Sequence, residues 1–292
     1  MAENHNRTKA PRVSVIMPVY NADFFLGQAI ESILGQTFTD FEFVIVDDGS
    51  RDRSWEIIEA YARADARIRA FRNAENFKLS KTLNRAIEAS RGEYLVRMDS
   101  DDVSMPERLA IQVAFMDANP EVGVSGGTMQ IINEQDKRIG VRRYYATDAE
   151  IRAHLFRFSP FSHPTIILRH AVLDKAGGYE HCFNPAEDYE LYFRLGRISK
   201  FGNVPQTLLR YRVVPKSMTT GSTRAMESKT LEIRRKAVRE YGYTMTLVDR
   251  MYGFVQWSTM FLVPVWGRVW LFNTLRGWIK TSREVVDEPR RD

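Results

Sequence analysis

Apolar residues recur at two spacings along the first hundred positions. Short β-rich runs occur at Val13-Ser14-Val15-Ile16-Met17, Phe41-Glu42-Phe43-Val44-Ile45-Val46, Ile68 to Phe71 and Tyr94-Leu95-Val96. Their length and β-branched content predict buried strands. Between them lie helical stripes: apolar residues at 25, 26, 29, 30, 33 and 34, then Trp55, Ile57, Ile58 and Tyr61, then Leu83, Ala86 and Ile87 within Leu79–Ala89. Gly35 is a suitable stop for the first helix, and Ser50 or Asp52 a cap for the second. Pro18 cannot donate to a ladder, so the first strand is expected to end there, with Val19-Tyr20-Asn21 as a loop. Strand and helix in alternation imply parallel strands joined by right-handed crossovers.

Beyond residue 102 the pattern changes. Pro106 begins a helix running through Arg108, Ile111, Val113 and Met116. Val122 to Gly127 reads as a strand with a tight bend, and 129–133 and 137–143 as strand-like pieces around a polar turn. Thr165 to Leu168 is β again, and Gly177-Gly178-Tyr179 is a turn. Glu187-Asp188 opens an amphipathic helix with Leu191, Phe193 and Leu195. Val204-Pro205 and Leu208 to Tyr211 are further short strands, and 222–243 is a charged helix. Residues 251–267 then carry no charge, a run of 17 residues. That falls short of the roughly 20 needed to span a bilayer, and it contains Gly253, Gln256, Ser258 and Pro264. An in-plane amphipathic element fits better than a spanning helix. The alternative is a helical pair packed on the domain or on another subunit.

Charge sharpens this division. The formal charge of +5 belongs to the tail: residues 221–292 hold 13 Lys+Arg and 8 Asp+Glu, leaving 29 of each in residues 1–220. Four of the five Trp (257, 266, 270 and 278) also lie in the tail. Basic groups interleaved with Trp and Phe suit an anionic membrane surface, and the neutral body argues against a nucleic-acid partner despite a pI near 9.2. The single cysteine, Cys182, excludes an internal disulfide and fits a reducing compartment. Residues 1–10 are polar, with no apolar stretch of the secretory type. These features lead us to expect a cytoplasmic chain, peripheral on the inner face of the cell membrane. The expected organisation is a disordered 1–10, a domain over 11–220 divided at about 102, and a basic helical tail over 221–292.

The chemistry gathers at strand ends. Asp99-Ser100-Asp101-Asp102 puts three carboxylates into four residues where the fourth strand leaves the sheet. Such acids repel one another unless a cation or hydrogen bonds relieve them, and hard oxygen ligands suit Mg²⁺ or Mn²⁺. Taken alone, a D-x-D pattern is also what a solvated turn looks like. Here Pro18/Tyr20 and Asp47/Asp48 end two other strands of the same unit, and open sheets bind ligands beyond the carboxyl ends of their strands.

In this order the sequence resembles the family 2 glycosyltransferases, inverting enzymes that use nucleotide-sugar donors. The resemblance is carried by Val13 to Asn21, Val44-Ile45-Val46-Asp47-Asp48-Gly49-Ser50, Gly92 to Asp102, His163-Pro164-Thr165, Gly177-Gly178-Tyr179 and Glu187-Asp188-Tyr189. It implies a GT-A fold: a Rossmann-like mixed α/β sheet flanked by helices, with a nucleotide-binding half (11–102) and an acceptor half (103–220). It also implies roles. Asp48 would bond the nucleotide base beside a wall of Pro18, Val19 and Tyr20; its alternative is turn or helix capping. Asp99 and Ser100 would face the donor, Asp101 would ligate Mn²⁺ or Mg²⁺, and Asp102 would be structural. Asp188 would be the catalytic base, or else simply a first-turn helix acid. Glu187 and His163 would line the acceptor side, although a lone His is as often a structural hydrogen bonder. Two departures stand out. Lys78 occupies a position where the family often has Gly, and Lys78 or Lys81 would reach the diphosphate or remain solvated. The final strand reads Tyr211-Arg212-Val213 with no His after it, so Arg212 would substitute electrostatically.

The expected activity is metal-dependent transfer of a sugar from a nucleotide-sugar, with UDP the commonest carrier in the family. The acceptor would be a hydroxyl of a glycan or lipid-linked molecule in cell-surface polysaccharide synthesis. A non-catalytic nucleotide-sugar or glycan-binding membrane scaffold is the alternative. A sugar-phosphate nucleotidyltransferase would want a Gly-rich, Arg-containing loop after the first strand, and Met17-Pro18-Val19-Tyr20-Asn21 is not one.

Overall fold

Strands β1 (Val13–Val19), β2 (Phe41–Asp47) and β4 (Tyr94–Arg97) are buried along their whole length, as strands covered on both faces must be. The computed structural model describes residues 10–214, 223–263 and Gly267. Alternate residues of these strands feed two cores. Val13, Val15, Met17, Phe43 and Ile45 pack with Leu26, Ile30 and Ile33 of α1 (Asp23–Leu34) and Ile58 of α2 (Ser54–Ala64). Ile16, Val44, Val46 and Leu95 pack on the other face with Leu83, Ala86 and Ile87 of α3 (Leu79–Ala89). β3 (Ile68–Arg72) completes a parallel set in the order β3-β2-β1-β4.

The second half extends the same sheet with mixed polarity. Its elements are β5 (Val103–Ser104), α4 (Arg108–Ala118), β6 (Val122–Ile132), β7 (Arg138–Arg142), α5 (Asp148–His154), β8 (Ile167–Arg169), α6 (His170–Ala176), α7 (Glu187–Gly196) and β9 (Lys200–Arg212). The sheet continues β4-β8-β6-β9-β5, with β7 paired to β6. β8 runs antiparallel to both β4 and β6, while β9 runs parallel to β6. α8 (Thr223–Glu240) and α9 (Leu247–Leu262) follow.

Three sequence expectations are corrected, and two short helices are added. β1 continues through Pro18 and Val19, which pair with Val46 and Asp47. Residues 16 and 18 face the β4 side, and β4 pairing has ended at Ile16–Arg97, so the missing Pro18 N–H forfeits no ladder bond. The strand candidates at 122–127 and 129–133 are one strand with register shifts near Gly127 and Thr128. Those at 204–205 and 208–211 are likewise one strand, with Pro205 in the bulge between Val204 and Thr207. Helices α5 and α6 went unpredicted; each has only 7 residues, too few for a periodic stripe, although Thr147 and Glu150 form a capping box before α5. Of the uncharged run at 251–267, residues 251–262 lie in α9, which begins earlier, at Leu247, and ends at Leu262. Among the described residues no helix is long and apolar enough to cross a membrane. Trp266, Trp270 and Trp278 lie outside the described residues.

Candidate active site

The acidic turn is built by the end of β4. Met98 N donates to Ile16 O and Arg97 N to Ile166 O, so the last strand residues are held between β1 and the 3-10 turn at His163–Thr165. Arg97 is almost fully buried, and its guanidinium makes a two-pronged ion pair with Asp99, 2.5 Å on each prong. Asp102 is completely buried. Its Oδ1 accepts the Arg212 N–H at 2.8 Å, and its Oδ2 has no hydrogen-bond partner among the described residues. Arg212, also buried, donates Nε–H to the Asp101 carbonyl at 2.9 Å. Its Nη2 reaches Gln28 Oε1 at 2.7 Å and Asp136 Oδ1 at 2.9 Å, and its guanidinium covers the Phe25 ring. Beneath the turn, buried Arg108 donates to the Arg97 carbonyl at 2.8 Å and to Gln112 Oε1 at 3.0 Å. Burial pushes this guanidinium down to about 9.

These contacts single out Asp101. Asp99 is committed to Arg97, and one oxygen of Asp102 to the backbone. The carboxylate of Asp101 has no ion pair among the described residues, and burial followed by the charge of Asp99 pushes it up to about 6. Asp102 is pushed upward by burial, Asp99 and Asp101. Carboxylate oxygens of Asp99, Asp101 and Asp102 all lie within 4.8 Å of one another. Hard oxygen donors, mutual repulsion and an orphaned buried oxygen fit a hard divalent cation.

The N-terminus of α7 brings two more acids within electrostatic reach of Arg97 and Asp99. Asp188 and Glu187 stand in its first turn. Burial raises Asp188, while the Tyr189 N–H (2.8 Å to Oδ1) and the charge of Arg97 pull the other way. Burial and then Asp188 push Glu187 up to about 7, and its Oε2 has no hydrogen-bond partner among the described residues. His163 Nε2 lies 2.8 Å from the Tyr179 hydroxyl. Burial and Arg97 hold this imidazole neutral. The Gly177-Gly178-Tyr179 turn is clamped from both sides. Asn84 of α3 exchanges two hydrogen bonds with Tyr179, and Arg194 of α7 donates to the carbonyls of Ala176, Gly177 and Gly178. Gly177 has φ +82°, and a Cβ on Gly178 would stand 2.5 Å from Asn84 Oδ1. The charge of Arg97 thus bears on Asp101, Asp102, Glu187, Asp188 and His163 together.

Asp48 sits at the same end of the sheet, beyond β2. Its backbone N–H bonds Val19 O at 2.7 Å. Its carboxylate is engaged by the loop before α3: Oδ1 accepts Asn73 Nδ2 (2.6 Å) and Phe77 N–H (2.9 Å), and Oδ2 accepts Lys78 N–H (2.9 Å). Pro18 and Val19 are buried in β1, which leaves Tyr20, 45% exposed, as the accessible member of the expected wall. Lys78 and Lys81 are both exposed. Lys78 holds φ +72° and ψ +163°, a conformation that glycine adopts freely and other residues seldom do. Ser100 is half-buried in the acidic turn.

Arg97, the acidic cluster, Glu187, Asp188 and His163 therefore form one electrostatic unit. Asp48, Tyr20, Lys78 and Lys81 lie toward the β2 side of the same strand-end edge. Arg212 stands behind the acidic turn, fully engaged in fixing it. Sequence reasoning passed over Arg97, Arg108 and Asn73. Arg97 had a signal, a cation at the end of an apolar strand immediately before three acids; Arg108 and Asn73 had none.

The class this architecture defines is an open α/β sheet with a cluster of buried and half-buried acids at its carboxyl edge, where such sheets bind ligands. Residues 14–177 match the profile described as Glycosyl transferase family 2. Over 228 residues the chain is 32% identical to the O-antigen biosynthesis glycosyltransferase WbnJ of Escherichia coli, covering 76% of this chain and 87% of WbnJ. In fold it is similar to S. aureus TarS 1-349 in complex with UDP-GlcNAc (TM-score 0.60, 18% identity, 85% of this chain and 80% of that one). It is also similar to the mannosyltransferase PcManGT from Pyrobaculum calidifontis in complex with GDP-Man and Mn2+ (TM-score 0.63, 17% identity, 96% and 77%). The chain belongs to glycosyltransferase family 2, and its mixed sheet with flanking helices is a GT-A fold.

Proposed function

We propose that this chain is an inverting, metal-dependent glycosyltransferase. It moves a hexosyl group from a nucleotide-sugar, UDP-linked by preference, to a hydroxyl of a glycan or lipid-linked acceptor in cell-surface polysaccharide synthesis. Residues 11–220 carry the reaction, and 221–292 hold the chain at the cytoplasmic membrane face through 251–280. The observation that carries this reading is the grouping of the acidic turn and the α7 acids around one buried arginine. Acids that repel so strongly at one sheet edge are the mark of a site. The biosynthetic role of WbnJ and the donors bound by TarS and PcManGT support the direction of the reading.

In this scheme Asp101, with Asp99 and Asp102 beside it, would hold Mn²⁺ or Mg²⁺. When bound there, such an ion would supply charge neutralisation for a departing nucleoside diphosphate. Arg97 keeps Asp99 fixed, and Arg108 and Arg212 hold the backbone of the turn. Tyr20 and the loop braced by Asp48 would flank the nucleoside, and the exposed Lys78 and Lys81 would meet its phosphates. Asp188 accepts the proton of the acceptor hydroxyl as that oxygen attacks the anomeric carbon, while neutral His163 and Glu187 orient the acceptor. One base opposite the leaving group gives inversion, without a glycosyl-enzyme intermediate.

Thermal unfolding with UDP-, GDP- and dTDP-sugars, each with and without Mn²⁺, tests the assignment, because a ligand that binds only the folded form raises the melting temperature. One nucleotide class should stabilise the protein, and Asp101→Ala should lose the Mn²⁺-dependent part. No stabilisation by any donor, or a full Mn²⁺ effect in that variant, contradicts the proposal. Donor stabilisation without any transfer or hydrolysis would favour a binding scaffold.

A further inference from the structure

Helix α9 is amphipathic in the reverse sense. Successive helical residues are turned by about 100°, so Leu247, Val248, Met251, Phe254 and Val255 share an arc of roughly 120°. All five face solvent; Leu247, Met251 and Phe254 are 73%, 61% and 66% exposed. The opposite side, turned to the protein, is polar. Buried Asp249 pairs with Arg157 at 2.9 Å, and buried Gln256 accepts from Arg234 Nη1 at 2.7 Å. A Thr246–Asp249 capping box fixes the start of the helix. Such contacts set which way the helix faces without covering its apolar side.

A cationic groove adjoins the first turn of α9. Arg235 of α8 and Arg250 of α9 line a groove of about 390 Å³ together with Val238, Tyr243 and Met245. Both arginines are exposed, and neither has an ion pair among the described residues. The sequence beyond α9 continues the theme with Arg268, Arg276 and Lys280 among Trp266, Trp270 and Trp278. An exposed apolar helix face, on a helix whose first turn also carries an exposed arginine beside Arg235, complements an acyl-chain boundary with anionic headgroups. A protein partner would not require the excess positive charge of the whole tail.

We infer that the outward face of α9 docks on an anionic bilayer surface, with Met251 and Phe254 entering the acyl boundary and Arg235 and Arg250 taking lipid phosphates. This deepens the membrane reading above and rests on it for the location of the acceptor, but it requires no catalysis to test. Sedimentation of the full chain with phosphatidylcholine vesicles, with and without phosphatidylglycerol, reads it directly. The wild type should bind the anionic vesicles. Met251→Asp/Phe254→Asp should weaken binding at least tenfold, and Arg235→Glu/Arg250→Glu by about thirtyfold or more. Both substitutions fall on exposed positions, so unfolding temperature and nucleotide-sugar binding should stay at wild-type values, and those two readouts separate failure here from failure of the enzymatic reading. The inference is overturned if wild type ignores anionic vesicles or if the Met251/Phe254 variant binds them equally well. It is equally overturned if that variant instead abolishes self-association of the wild-type chain measured without lipid.

Discussion

Lys78 holds a backbone conformation reserved in practice for glycine, next to the carboxylate of Asp48 that receives its N–H. Such strain costs of order 1–3 kcal/mol and persists where the surrounding structure enforces it. Lys78→Gly should therefore raise stability in chemical denaturation by about 1 kcal/mol. If the ammonium reaches the diphosphate, the same change should weaken donor binding several-fold. Opposite signs in the two measurements would identify a residue kept for its charge, whereas gains in both would make it an incidental substitution. Glu187 gives a pH signature. Its carboxyl is buried and pushed up to about 7, with Asp188, Arg97 and Asp99 as the charges acting on it. The folded protein then binds a proton more tightly than the unfolded chain does. Stability from this group is present below the ordinary glutamate range and is lost as pH rises through about 7. Glu187→Gln removes that dependence. Its advantage over wild type in unfolding free energy should grow between pH 5 and pH 8, toward roughly 2–3 kcal/mol; a pH-independent difference would mean that Glu187 is ionised throughout.

At the level of elements, the acidic turn is held from three directions: by β1 through Met98, by α4 through Arg108, and by β9 through Arg212. The Arg212 guanidinium links the turn to α1 and to the connection after β6. Replacing it with Met leaves Asp136 without this partner and unseats the Asp101 carbonyl. Loss of one member of a buried ion pair costs about 3–5 kcal/mol. Because Asp136 is partly exposed, a loss near 2 kcal/mol is expected here, with weaker Mn²⁺-dependent donor binding. Full stability with wild-type metal dependence would remove Arg212 from this role. The sequence made the parallel strands β1 to β4 and the helices α1 to α4 and α7 legible, because their burial imposes a period that composition records. The 7-residue α5 and α6 left no such period. The bulge at Pro205 hid the continuity of β9, since a proline inside a strand normally argues against one. The acids of the site could be read because carboxylates at strand ends are conspicuous. Arg108 and Asn73 could not, because their importance lies in which distant groups they meet.

Over the whole molecule, one sheet from Val13 to Arg212 joins residues nearly two hundred positions apart at a single edge. Parallel β2, β1 and β4 deliver Asp48, Tyr20 and Asp101 to that edge, and the clamp of Asn84 and Arg194 on the Gly177–Tyr179 turn couples α3 to α7, where Asp188 stands. The sequence motifs made this convergence foreseeable through topology alone. What they did not reveal was the buried Arg97 at its centre, or the outward-facing apolar side of α9. The division of labour between donor and acceptor chemistry is the central claim, and Asp188→Asn tests it most directly. Initial rates of sugar transfer and donor affinity should be measured on the same preparation. The account predicts a rate lower by about 10²–10⁴-fold with donor affinity within a few-fold of wild type. Retained turnover, or donor binding lost together with turnover, would contradict it.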